Sequence, residues 1–204
     1  MNVNADKTAA LIAFLLGAPF AFMMVQGFSE GEVRRRELPV RAMLGDEVFQ
    51  AYRDGEKPKL HYLGNDRLAP DFTLYDQHGK PWRLQDQRGK TVVMNFWTVT
   101  CKPCVEEMPS LEQLALIAAE RPDLEVVAIT TDRNWDEIRS LFQPDSKLKV
   151  LFDPERAVIR DKFGTRLYPE TWVVDPKGVI RARVDGGRDW SAPIAIEMID
   201  TLSG

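Results

Sequence analysis

The chain is short of the residues that build metal sites and disulfide scaffolds. Its 204 residues include two cysteines, Cys101 and Cys104, and two histidines, His61 and His78, both upstream of the cysteines. Two thiols allow at most one internal bridge and cannot make a four-thiolate zinc site, so the fold must be held by apolar burial. There is no excess of positive charge either. With 27 basic against 31 acidic residues the net charge is -4, no basic stripe is interleaved with aromatics, and nucleic acid is a poor partner for such a surface. With 44% apolar and 28% charged residues, collagen, coiled coil and wholesale disorder are excluded.

Long apolar runs are absent except at the amino end. Thr8 to Phe28 carry no ionisable group over 21 residues, which at about 1.5 Å per residue covers roughly the 30 Å of a bilayer's hydrocarbon. Residues 1–28 therefore read as a single membrane anchor; the alternative is a cleaved signal segment, with Val25-Gln26-Gly27 as a weak processing site. Lys7 precedes the run and Arg34, Arg35, Arg36 and Arg41 follow it, so the charge rule alone places the carboxyl side in the cytoplasm. Residues 29–67 are polar and interrupted by Pro39, Pro58, Gly45, Gly55 and Gly64, the composition of a tether, with a short helix expected near Asp46 to Tyr52. Residues 68–204 are enough for one independently folding domain.

Within that domain apolar patterns alternate between the two periods. Phe72–Tyr75 and Trp82–Leu84 flank the turn Asp76-Gln-His-Gly79 and predict a hairpin. Thr91–Trp97 is apolar almost throughout, as suits a central strand covered on both faces. After Cys104, Met108, Leu111, Ala115 and Ala118 recur at helical spacing up to Arg121-Pro122. A strand at Val126–Thr130, a helix near Trp135–Phe142, an apolar run at Leu148–Phe152 and a helix near Ala157–Phe163 follow. Strands at Thr171–Val174 and Val179–Val184 are joined by Asp175-Pro-Lys-Gly178, and a last helix, Ser191 to Leu202, is capped by Ser191 with Pro193 in its first turn. This order predicts a mixed α/β sheet with helices on both faces.

The chemistry lies at Cys101-Lys102-Pro103-Cys104, where a buried strand gives way to a helix. Two thiols at that spacing can close a small disulfide, and the helix amino end favours the thiolate of the first. Lys102 adds positive potential. Half of a metal site is the bland alternative, but it needs ligands that the two upstream histidines are poorly placed to give.

Asn95-Phe-Trp97, three residues, Cys101-Lys-Pro-Cys104 and then Tyr168-Pro169-Glu-Thr171 before a strand resemble the thioredoxin superfamily, in its membrane-tethered TlpA/ResA/DsbE-like branch, a redoxin of AhpC/TSA type. Ala69-Pro-Asp-Phe72-Thr-Leu, Gly79-Lys and Arg88-Gly-Lys90 resemble that branch too, and the likeness covers about residues 68–204. It implies a thioredoxin-like fold with a hairpin extension and a central αβ insertion, Cys101 as nucleophile, Cys104 as resolving thiol and Pro169 as a cis-proline facing the disulfide. It also implies disulfide-bearing protein substrates, no bound cofactor, a DsbD/CcdA-like membrane electron donor, a role such as cytochrome c maturation, and a redox domain on the periplasmic face of a bacterial inner membrane, against the arginines that follow the span.

The departures are as informative. Thr100 stands where thioredoxins carry an aromatic residue, and Asn95 stands where thioredoxin holds a buried acid. The resemblance then looks to the inserted segment for an acid, where Asp132 is a candidate for the proton of Cys104; otherwise Asp132 is an exposed loop acid capping the next helix. Tyr168 before the cis-proline is unusual, and either tunes substrate choice or packs. A Sco-like copper chaperone is a second reading, although such proteins have three residues between the cysteines and a downstream histidine. A thiol peroxidase, echoed by Thr98-Val-Thr-Cys101, is a third, and lacks the proline that would stand at Met94.

Overall fold

A computed structural model describes residues 67–203, together with Gln50. The anchor, most of the tether and the helix expected near Asp46–Tyr52 lie outside the described residues. Among the described residues no helix is long and apolar enough to cross a membrane.

The centre is an eight-stranded mixed sheet. Its strands are β1 (Arg67–Leu68), β2 (Thr73–Asp76), β3 (Pro81–Arg83), β4 (Thr91–Trp97), β5 (Leu124–Thr130), β6 (Lys149–Phe152), β7 (Glu170–Val174) and β8 (Val179–Asp185). They lie in the order β1-β8-β7-β4-β5-β6-β2-β3. β4, β5 and β6 run parallel, and the other pairings are antiparallel. All seven residues of β4 are buried, as a strand flanked and covered on both faces requires. The expected hairpin is β2–β3, and it extends the sheet by pairing with β6. The turn joining β7 to β8 holds Gly178 at φ +82°, a conformation that side chains rarely adopt.

Alternation along β4 divides the core in two. Val92, Met94 and Phe96 join Phe72, Trp82, Leu84, Val158, Ile159, Phe163 and Trp172 in one apolar cluster, with the Phe163 ring edge-on to Phe72, Phe96 and Trp172. The other face carries Asn95, which meets the helix α1 (Lys102–Ala119), and Trp97, whose ring packs on Phe142. Among the described residues the expected α-helices on both faces are therefore not found; the second face carries the 3-10 turn Leu84–Gln87, whose Leu84 joins the cluster. Helix α1, the short α2 (Trp135–Ile138) with a 3-10 turn after it, and α3 (Pro193–Leu202) are the α-helices among residues 67–203, and the cluster around Phe163 contains no residue of any of them.

The helix expected at Ala157–Phe163 is instead a chain of turns. The Asp153 carboxylate accepts from the Val158 and Ile159 amides at 2.9 and 2.8 Å, Arg156 adopts φ +59°, and the following bonds span four, five and six residues. A side chain that binds two consecutive amides competes with the helix for those donors. The last helix also starts differently: Ala192 is its cap, without a side-chain bond, and the Ser191 hydroxyl donates to Asp189 at 2.6 Å.

Candidate active site

The cysteine pair sits where β4 hands over to α1. The Cys101 amide bonds the Thr98 carbonyl at 3.1 Å, and Cys101 is the cap of α1, its sulfur accepting from the Cys104 amide at 3.3 Å. Pro103 in the first turn needs no amide partner there. Cys101 and Cys104 are joined as a disulfide with Cα atoms 5.3 Å apart. The first sulfur belongs to a partly exposed residue and the second to one that is fully buried. Only Cys101 is open to attack by or on a partner. Lys102 projects into solvent and pairs with Glu106 at 3.6 Å.

Below the pair lies an acid on α1 that the spacing argument overlooks. Glu107, one turn beyond Cys104, is buried with 5% exposure. Its Oε1 accepts from the Asn95 amide at 2.7 Å, and its Oε2 accepts from the Arg188 backbone amide at 3.0 Å and the Trp190 indole at 3.2 Å. Burial raises its pKa above the ordinary value, with those three donors and the Arg188 charge pulling the other way. The signal was present in the sequence: Glu107 falls within the Cys104, Met108, Leu111 stripe, so the helix turns a carboxyl towards the sheet. Asn95, which cannot titrate, holds the acid in place and also donates to the Thr171 hydroxyl at 2.9 Å, while its own Oδ1 has no partner among the described residues.

Asp132 is not the exposed acid that caps the next helix. It is buried, not exposed, and α2 is capped by Asn134, whose Oδ1 accepts from the Glu137 amide at 3.2 Å. The Asp132 carboxylate accepts from the Thr98 hydroxyl, the Val99 amide and the Thr130 hydroxyl at 3.0, 2.9 and 2.5 Å. It staples the loop that delivers Cys101. Trp97, at the end of β4, is buried against Phe142.

Pro169 follows a cis peptide bond with Tyr168. Glu170 pairs with Phe96, so Pro169 falls level with Trp97, the last residue of β4, at the end from which the Cys101 loop departs. Tyr168 is partly buried, hydrogen-bonds Thr131 and has its phenol pKa raised, chiefly by burial. The strap Gly186–Trp190 joins this corner to α1. The Gly186 amide donates to the Pro169 carbonyl at 2.9 Å, Ser110 Oγ accepts from the Trp190 amide at 3.0 Å, and Trp190 is fully buried. A Cβ on Gly187 would lie 3.3 Å from the Pro103 carbonyl oxygen, so a side chain there would push strap and helix apart by a few tenths of an ångström. A cavity of about 680 Å³ lies between strap and helix, lined by Pro103, Glu106, Glu107, Ser110, Gly187 and Arg188 among others.

A partly exposed cysteine at a helix amino end, a buried partner one turn on, a cis-proline at the same end of β4 and this sheet together define a thioredoxin-like thiol-disulfide oxidoreductase. The comparisons agree. The AhpC/TSA family model matches residues 66–183, and the chain belongs to that family. It is 36% identical over 141 residues to the thioredoxin-like protein YneN of Bacillus subtilis, covering 67% of this chain and 78% of that one. It is 31% identical over 144 residues to the thiol-disulfide oxidoreductase ResA of Bacillus cereus, covering 70% and 80%. Among solved structures, the thioredoxin domain of a thiol-disulfide oxidoreductase from Bacteroides vulgatus superposes with a TM-score of 0.56 at 25% identity, covering 67% of this chain and 98% of that one.

Proposed function

We propose that this chain is a reductant of protein disulfides, tethered by its amino-terminal span and working on the extracytoplasmic side of a bacterial inner membrane. It takes electrons from a DsbD/CcdA-like membrane donor and passes them to proteins such as those of cytochrome c maturation. The observation that carries the chemistry is the asymmetry of the pair: Cys101 is reachable at the helix amino end, and Cys104 is sealed behind it one turn from the buried Glu107.

In that reading the Cys101 thiolate attacks one sulfur of the substrate disulfide, and the other substrate sulfur leaves as a thiolate. Cys104 then loses its proton to Glu107 and attacks the Cys101 sulfur of the mixed disulfide, which releases the second substrate thiolate. The substrate has gained two electrons, and Cys101 and Cys104 end as a disulfide. Glu107 suits this task because burial lifts its pKa towards that of a thiol. Asp132 and Lys102 hold the approach to Cys101 from outside this proton path, Asp132 through the 98–99 loop and Lys102 through its charge.

The reduction potential of the pair tests the direction: a value near about -270 mV, that of thioredoxin, is expected, and one near about -120 mV, that of DsbA, would make the chain an oxidant. A reporter fused to the carboxyl end and active only outside the cytoplasm tests the placement.

A further inference from the structure

Immediately upstream of Pro169 the surface opens into a second cavity, of about 530 Å³, walled by Arg156, Arg160, Asp161, Thr165, Arg166 and Tyr168 among others. Three guanidinium groups line it against one carboxylate, and that carboxylate, Asp161, is bound by Arg160 at 2.7 Å. The nearby buried acids are already engaged. Asp153 accepts from the Val158 and Ile159 amides, and Glu170 accepts from Thr165 and Trp172 and pairs with Arg183 at 2.7 Å. In a chain whose net charge is -4, this corner is cationic.

Arg156 is the telling member. Its φ of +59° is a conformation that glycine or asparagine adopts at lower cost, yet an arginine occupies it. Its amide bonds the Asp153 carbonyl at 2.9 Å, and its own carbonyl accepts from the Arg160 amide at 3.0 Å, so the turn that presents the cation is fixed from both sides. Leu167, between Arg166 and Tyr168, is 82% exposed and adds an apolar contact at the same place.

We propose that this cavity receives an acidic side chain of the substrate protein, carried on the extended segment that lies beside Pro169 when its disulfide is exchanged. A carboxylate there meets Arg156 and Arg166 in the paired geometry that guanidinium groups favour, and Leu167 packs against its neighbour. The proposal rests on the disulfide-exchange reading and adds to it the class of substrate.

The test compares two otherwise identical disulfide-bonded peptides, with Asp-Glu or Asn-Gln beside the cysteine, as substrates of the reduced full-length chain at low and high salt. At low salt the acidic peptide is expected to react about tenfold faster, with the advantage shrinking as salt rises. Arg156→Gln/Arg166→Gln should bring the ratio of the two rates to about one, and Arg166→Gln alone, which leaves the left-handed turn untouched, should lower it in part. Lys177→Gln, the same change of charge in the β7–β8 turn at the other end of β7 from Pro169, should leave the ratio standing. A wild-type ratio of one with both peptides turned over overturns the subsite alone, as does a ratio that survives the arginine changes. Failure to exchange either peptide overturns the oxidoreductase reading beneath it.

Discussion

The two segments that meet at Pro169 are built in opposite ways. The strap Gly186–Trp190 is closed: it is hydrogen-bonded to Pro169, Ser110 and Glu107 and seals a tryptophan into the core. The turns from Arg156 to Leu167 point outward, with arginines and an exposed leucine around a cavity. One flank holds a buried acid on the inner cysteine's helix, one turn from Cys104. The other offers charge to solvent, where a partner can be chosen. In the proposed mechanism proton handling and partner choice thus fall to different stretches of chain, and each can be altered separately.

Cutting the chemistry itself should have the largest effect. Cys101→Ser is expected to reduce exchange to the uncatalysed level, and Cys104→Ser to leave substrate bound as a mixed disulfide that survives non-reducing electrophoresis. Attack on the closed flank comes next. Glu107→Gln should slow release of the mixed disulfide by about a hundredfold and flatten its pH dependence, which single-turnover rates across pH would show. The same variant has a signature in stability. Because burial raises the Glu107 pKa above 4.5 in the folded chain, the folded state keeps a proton that the unfolded chain has lost. Stability therefore falls as pH rises from 4.5 through the raised value and stays lower above it. Urea midpoints of Glu107→Gln against pH should lack that fall.

How much of this can be read from the sequence differs between the two flanks for a physical reason. β4 and α1 are legible because their patterns are long and of one period, and the Cys101–Cys104 pair is legible because thiols are scarce. The hairpin follows from its turn residues. The Ala157–Phe163 helix is misread because its apolar spacing suits a helix while Asp153, four residues upstream, takes the amides of Val158 and Ile159. Glu107 is overlooked for the opposite reason. A carboxyl in an apolar stripe breaks the pattern that defines the helix, and its three donors, Asn95, Arg188 and Trp190, come from segments up to 83 residues away. Local pattern reports local bonds; the site acid is fixed by distant ones.

The finer tests act on what holds the closed flank. Trp190→Phe keeps an aromatic ring, removes the indole donor to Glu107 Oε2 and leaves a void at a fully buried site, so the carboxyl should titrate higher still and the chain lose about 2–4 kcal/mol. Asp132→Asn should be milder in its effect on exchange and is the sharper control. Replacing one carboxylate oxygen by an amide turns a donor towards partners that themselves donate, Thr98, Val99 and Thr130, so the Cys101 loop should loosen and stability fall by about 1–3 kcal/mol. On the proposed reading, in which Asp132 positions the loop and Glu107 takes the proton, the pH profile of exchange should nevertheless keep its wild-type shape. If instead the profile changes with Asp132→Asn and not with Glu107→Gln, the acid that serves Cys104 comes from the inserted segment, and the division between the two flanks of Pro169 is lost.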